Sequence, residues 1–126
     1  MDTQKKIKRL KSKADKLFHI LVCKKYPKCL PCGINDSVCA HHFILKSKSS
    51  ELRYDLLNGV PICNSCHCKI HMAQDPEIEN RIIQKRGQDW ADRLYKIKNS
   101  VIKKYRGVVY YKNVINNLEE EIKKLN

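Results

Sequence analysis

Two cysteine pairs in the middle third of the chain have the spacing of metal ligands. Each is a C-x2-C pair, Cys29 with Cys32 and Cys63 with Cys66. Such a pair can place two sulfurs on one tight turn, and four thiolates in tetrahedral array form the usual closed zinc site. We therefore predict a structural Zn²⁺ held by all four cysteines, in preference to four reduced thiols that only pack.

Three further cysteines, Cys23, Cys39 and Cys68, fall outside this pattern, and we interpret each as an ordinary small thiol. Cys66 is preferred to Cys68 as the fourth ligand because it keeps the paired spacing. The total of seven cysteines is odd, and no apolar run of the length used for export follows the N-terminus. We expect a reducing, cytoplasmic compartment in which these thiols are free to bind metal.

Four histidines lie between and just after the cysteine pairs. His67 and His71 are four residues apart, so a helix would bring both imidazoles to one face, as two ligands of one ion require. Taken alone, such a pair is equally typical of a solvated helix face, but its place at a cysteine pair favours a metal. His41 and His42 precede it on a plausible strand. A catalytic metal takes about three protein ligands, and the fourth imidazole can act as general base. The residue types leave open which of His41 and His42 has which role.

Polar residues between the histidines complete the candidate site. Asn58 can fix the orientation of the base, although Asn58-Gly59 is also a common turn dipeptide, and both roles can hold together. Lys46, Lys48 and Arg53 lie in the same stretch. We predict them as phosphate contacts, a role as typical of these charges as a solvated loop.

The charge of the chain favours a polyanionic partner. Its 126 residues include 26 Lys and Arg against 13 Asp and Glu, which gives a net charge of +13. One lysine run is typical of a solvated helix face, but the excess over the whole chain favours nucleic acid bound through its phosphates. No stretch approaches the roughly 20 apolar residues of a membrane span, so we expect no membrane partner.

Short strands and amphipathic helices are predicted to position these residues. Apolar spacings of three and four predict a basic helix over 4–22, ended by Tyr26-Pro27. Strands are predicted at 38–43 and 60–62, with Pro61 at an edge. Helices are predicted at 65–73 with Asn64 or Ser65 as cap, at 76–86, at 90–105 with Asp89 as cap, and from about 114 onward. Residues 108–111 are ambiguous between a strand and a helix start.

The order of the candidate residues resembles the HNH motif of the His-Me finger (ββα-metal) endonucleases. The matching residues, in order, are His41-His42, Asn58, Cys63-x2-Cys66-His67 and His71. The two cysteine pairs match the zinc-bound subgroup of that family. The stretch Leu52-Arg53-Tyr54-Asp55 also resembles small phage-type members, including the NinG/Rap recombination nucleases. The resemblance covers roughly residues 29–72.

The resemblance implies a role for each residue. His41 would be a metal ligand, and His42 the general base that deprotonates the attacking water. Asn58 would hold the loop and orient His42. His67 would be the closing ligand, and His71 a third ligand that only some members have. The implied products carry 5′-phosphate and 3′-hydroxyl ends, and the implied ion is Mg²⁺, Mn²⁺, Ni²⁺ or Zn²⁺.

We thus predict a metal-dependent DNA endonuclease with an α+β, mostly helical fold. A single domain, 1–126, would consist of a basic N-terminal helix (1–26), a small ββα-metal core with its four-cysteine zinc site (27–74) and C-terminal helices (75–126). If a phage encodes the chain, its compartment is the bacterial host cell.

Two alternatives stay open. One is a non-catalytic, zinc-dependent nucleic-acid-binding module. The other is a subunit that acts only beside a partner, in a recombination or packaging complex of phage or host. A binding module needs the four cysteines but has no use for the histidines, so the intact set of histidines favours the enzyme. Whether the chain forms a homodimer is also open.

Overall fold

The computed structural model describes residues 2–100 and 105–126 and has a mixed α+β architecture. Its strands, β1 (Cys39–His42) and β2 (Gly59–Ile62), form an antiparallel pair with Cys39 opposite Ile62 and His42 opposite Gly59. The helices are α1 (Thr3–Lys25), α2 (Asn64–His71), α3 (Glu77–Arg86), α4 (Gln88–Asn99) and α5 (Val108–Lys124). The predicted α+β, mostly helical class is confirmed.

The small sheet lies between two helical layers because its two faces carry different residues. Successive residues of a strand point to opposite faces. On one face, Ala40 belongs to an apolar cluster with residues of α1 and α5. On the other face, Val60 and Ile62 join a second cluster that includes residues of α3 and α4. Each strand therefore sends alternate side chains into different surroundings.

The start of β2 lies so close to α1 that only glycine fits at position 59. A Cβ atom built on Gly59 would lie 2.7 Å from Cγ2 of Val22 and 2.9 Å from Cζ of Phe18. Gly59 is extended, with φ −89° and ψ 121°. The glycine of the Asn58-Gly59 dipeptide therefore serves close packing of helix on strand.

The predicted N-caps of α2 and α4 are wrong. The residue before α2 is a cysteine of the four-cysteine cluster, and the residue before α4 is the glycine that joins it to α3. Cys63 precedes α2 and makes no side-chain cap hydrogen bond, while Asn64 lies inside the first turn, as does Ser65. Gly87 alone joins α3 to α4, so Asp89 also lies inside a first turn. In the first turn, the carboxylate of Asp89 still interacts favourably with the positive end of the helix dipole.

Other boundaries differ by a few residues. α1 is longer than predicted and ends at Lys25, with Tyr26 as its C-terminal cap. The ambiguous stretch 108–111 is the first turn of α5. The helix predicted at 90–105 ends at Asn99, and residues 101–104 lie outside the described ranges. No helix in the described part of the chain has the length and apolar character needed to cross a bilayer.

Candidate metal centres and active site

Four cysteine sulfurs meet between the loop that follows α1 and the start of α2. The Sγ atoms of Cys29, Cys32, Cys63 and Cys66 all lie within 4.8 Å of one another. Tetrahedral zinc with Zn–S bonds of about 2.3 Å needs sulfurs roughly 3.8 Å apart, so this cluster could hold Zn²⁺. The cysteines predicted to act together are brought together.

Backbone N–H groups favour the thiolate form of Cys32 and fix the loop that carries it. N–H groups of residues 34–35 lower the pKa of Cys32 to about 6, so this thiol loses its proton near neutral pH. The thiolate is the form that binds metal. Gly33 has a φ of +68°, which lets the loop fold back until its N–H donates to the carbonyl of Cys29 at 2.9 Å.

A second cluster is formed by three histidines. Ring nitrogens of His41, His67 and His71 lie within 4.8 Å of one another. The two Nε2 atoms of His67 and His71 are 2.8 Å apart. His41 is buried and His71 is exposed, so the cluster is anchored at the sheet and opens toward solvent. Burial, with the neighbouring histidines second, lowers the pKa of His41 to about 4 and keeps its ring neutral. Three convergent imidazoles with an open side suit a catalytic transition metal.

β1 sends its two histidines to different sides. His41 points to α2, where it meets His67 and His71. His42 points to α1 and stacks on Phe18, with ring centroids 5.1 Å apart. Both rings line one cavity of about 250 Å³. The structure thus groups His41, and not His42, with the two histidines of α2.

The ring of His42 is held in one tautomer. Its Nε2 lies 2.9 Å from the carbonyl oxygen of Arg53. A carbonyl only accepts, so Nε2 carries the proton and Nδ1 keeps its lone pair. Burial outweighs this hydrogen bond and lowers the pKa of His42 to about 4, so the ring is neutral at physiological pH. Nδ1 is therefore free to accept a proton.

Cys39 has a role that sequence reasoning missed. Its Sγ lies 3.4 Å from Nδ1 of His67 and 4.0 Å from the carbonyl oxygen of Ile62. Burial raises the pKa of Cys39 to about 11, so the thiol keeps its proton and donates it to Ile62. When the sulfur accepts from Nδ1–H of His67, Nε2 of His67 keeps the lone pair that a metal ion needs. Outer contacts of this kind fix the tautomer of metal-binding histidines. The sequence feature that could have indicated this contact is strand alternation, which puts Cys39 on the same face of β1 as His41.

Asn58 holds the loop between the strands and does so through backbone groups. The side chain is fully buried. Its Oδ1 accepts from the N–H of Ile44 at 2.7 Å, and its Nδ2 donates to the carbonyls of Ile44 (2.9 Å) and Leu52 (3.2 Å). The group that hydrogen-bonds to the ring of His42 is the carbonyl of Arg53, which lies on the loop that Asn58 holds.

Asn58→Ala should lower the free energy of unfolding by about 2–4 kcal/mol, because it leaves buried backbone groups without partners. Denaturant unfolding of the metal-loaded protein measures this change. Asn116→Ala, at an exposed position of α5, is the matched control and should change stability by less than about 0.5 kcal/mol. An Asn58→Ala protein as stable as the control would show that the three hydrogen bonds do not stabilise the loop.

The three loop cations predicted to contact phosphate differ in their surroundings. Arg53 donates two hydrogen bonds to the carboxylate of Asp15 on α1, at 3.0 and 2.8 Å, and both side chains are largely buried. Arg53 therefore fixes the loop to α1, and its contact with phosphate stays a prediction. Lys46 is exposed and lines the histidine cavity, where it can meet a phosphate. Lys48 is exposed on the same loop.

His19 also lines the histidine cavity. Its Nδ1 accepts from the backbone N–H of Ala40 at 2.8 Å, which joins α1 to β1. This bond gives the half-buried His19 a structural role, and it places the proton of the neutral ring on Nε2. The position in the cavity was missed because nothing local in the sequence shows that α1 reaches β1.

A comparison of the chain with models of protein families, with curated proteins and with solved structures gave no match. The two clusters, the cavity and the charge of the chain are the features that bear on its function.

Proposed function

We propose that the chain is a metal-dependent DNA endonuclease of the HNH type, with β1, β2 and α2 as its ββα-metal core. One observation carries the proposal. Three histidines with the geometry of metal ligands converge in a cavity that also contains His42, whose Nδ1 can accept a proton. A protein that only bound nucleic acid would need the cysteine cluster but not this second constellation.

The histidine cluster fits a divalent ion in its donor chemistry. Imidazole nitrogens favour the transition metals, and an open side leaves room for water and a phosphate. His41, His67 and His71 would hold the ion. The bound ion would stabilise negative charge that develops on the scissile phosphate and on the leaving 3′ oxygen.

His42 would move the proton of the attacking water. Its Nδ1 accepts that proton as the water oxygen bonds to phosphorus and the bond from phosphorus to the 3′ oxygen breaks. The leaving oxygen takes a proton from solvent, which gives 5′-phosphate and 3′-hydroxyl ends. The carbonyl of Arg53 accepts from Nε2–H of His42, and this hydrogen bond strengthens as the ring becomes charged.

Positive charge would hold the substrate at the cavity. Lys46 stands beside the histidines, and the chain carries a net charge of +13. Exposed cations raise the local concentration of a polyanion and bind it mainly through phosphates. We accordingly expect weak sequence preference.

Supercoiled plasmid is the direct test substrate, because one active site cuts one strand and a single nick relaxes the circle. With Mg²⁺, Mn²⁺, Ni²⁺ or Zn²⁺ added in turn, we expect nicking with at least one ion and none in metal-free buffer. DNA ligase should reseal the nick, since it requires 5′-phosphate and 3′-hydroxyl ends. DNA binding without cleavage under every ion would refute the enzyme and favour the binding module.

A further inference from the structure

We propose that one exposed face of α1 binds the phosphate backbone of duplex DNA and directs the duplex to the histidine cavity. This basic face consists of Lys5, Lys8, Arg9, Lys13 and Lys16, all exposed, which together with Ser12 line a shallow surface groove. That the face guides DNA to the histidine cavity rests on the proposed endonuclease function. The part that concerns binding does not.

The basic face is continuous because its residues are spaced by three and four along the helix. The opposite face of α1 carries the buried residues Ala14, Phe18, Leu21 and Val22, which pack against the sheet and α5. α1 is thus fixed to the core on one side and presents a straight row of cations on the other.

The row leads to the candidate active site. His19 follows Lys16 by three residues, so it lies on the same face, and it lines the histidine cavity. At about 1.5 Å per residue, the distance along α1 from Lys5 to His19 is roughly 21 Å. That length matches about six phosphates of one strand, at 3.4 Å of helix axis per phosphate.

The charges of this face are not explained by the stability of the helix. α1 contains nine Lys and Arg residues against one acid, Asp15, which is bound to Arg53. Cations three and four residues apart repel each other, and those near Lys5 also lie at the positive end of the helix dipole. Within residues 2–100 and 105–126, no cation of the basic face forms a salt bridge. An external polyanion is the partner that would turn this repulsion into attraction.

The lining of the groove favours DNA over a membrane surface. An interfacial helix needs an apolar face free to enter the lipid, whereas the apolar face of α1 is buried in the protein. The groove residues are five cations and Ser12, which suit phosphates.

The test compares two variants that lose the same number of positive charges from different surfaces. One changes Lys8, Arg9, Lys13 and Lys16 to glutamine. The control changes four exposed cations of α4 and α5 to glutamine, namely Arg93, Lys96, Lys112 and Lys123. Each variant loses three lysines and one arginine, and glutamine keeps the helix propensity of the residues that it replaces.

Binding to a 30-base-pair duplex is measured over a range of salt concentrations, with both variants also carrying His42→Ala so that no DNA is cut. The slope of log affinity against log salt should become shallower by about 3–4 in the basic-face variant and by less than about 1 in the control. Equal slopes in the two variants would overturn the proposal. So would loss of binding to phosphatidylserine vesicles without loss of binding to DNA, which would assign the face to membranes.

Cleavage by the same variants with His42 intact tests the direction. The basic-face variant should show a rise in KM of about tenfold or more and little change in kcat, because its lost contacts are far from the reacting phosphate. An unchanged KM would contradict the inference that the basic face guides DNA to the histidine cavity. If no protein cuts DNA, the endonuclease proposal fails, and the salt slopes still decide the binding surface.

Discussion

His42→Ala should lower the rate of plasmid nicking by about 10²–10⁴-fold, the usual contribution of a general base. The variant loses Nδ1 of His42, the ring nitrogen that keeps its lone pair, while the three histidines of the cluster are unchanged. DNA affinity and zinc content should stay at wild-type values, since neither depends on this ring. Nicking rates with purified protein at saturating metal measure the effect.

Two controls separate catalysis from packing, because His42 stacks on Phe18 and its removal leaves a gap. Added imidazole should restore part of the activity of His42→Ala, which it could not do for a misfolded protein. His19→Ala should reduce the rate less, because Nδ1 of His19 already accepts from Ala40 and Nε2 carries the proton. A wild-type rate in His42→Ala would remove His42 as the base.

Cys32→Ser should abolish structural zinc binding and with it the folded state. Structural Zn²⁺ contributes apparent binding free energies of about 10–16 kcal/mol. Domains of ordinary size are stable by only about 5–15 kcal/mol. Losing one of four ligands therefore removes a contribution comparable to the whole stability of the fold. Zinc content by mass spectrometry under native conditions and thermal unfolding by circular dichroism report the two effects.

Cys68→Ser is the matched control, since Cys68 is exposed on the same short helix as Cys66 but lies outside the cluster. It should keep one zinc per chain and the wild-type melting temperature. A Cys32→Ser protein that is soluble, normally folded and fully loaded with zinc would show that the four cysteines are not a zinc site.

Features that depend on local spacing could be predicted from the sequence. The C-x2-C pairs and the i, i+4 histidines of α2 each depend on spacing over one or two turns. Apolar periodicity placed both ends of α1 within three residues, whereas it predicted α5 only from about residue 114, six residues after its observed start. The cysteines of the cluster were identified correctly because paired spacing excludes Cys68. Local spacing could not assign His41 to the histidine cluster, because that assignment depends on which helix covers each face of β1.

Contacts between distant parts of the chain were beyond sequence reasoning. The ion pair of Arg53 was not predicted, because its partner Asp15 lies 38 residues earlier on α1. His67 contacts Cys39, 28 residues away, and that contact exists only once β1 lies beside α2. The predicted caps of α2 failed for a related reason, because the residue before this helix is a cysteine of the cluster.

α2 consists of only eight residues, from Asn64 to His71, and helices shorter than about 12–15 residues are marginal in water on their own. Its first turn is fixed through Cys63 and Cys66, while His67 ends that turn and His71 ends the helix. An ion bound by the cysteines would therefore order the helix that carries two histidines of the histidine cluster. The two ions would be thermodynamically linked, so that occupancy of one site raises affinity at the other by the same factor in both directions. Such positive cooperativity would keep the histidine cluster unassembled, and the chain unable to cut DNA, until zinc has ordered α2.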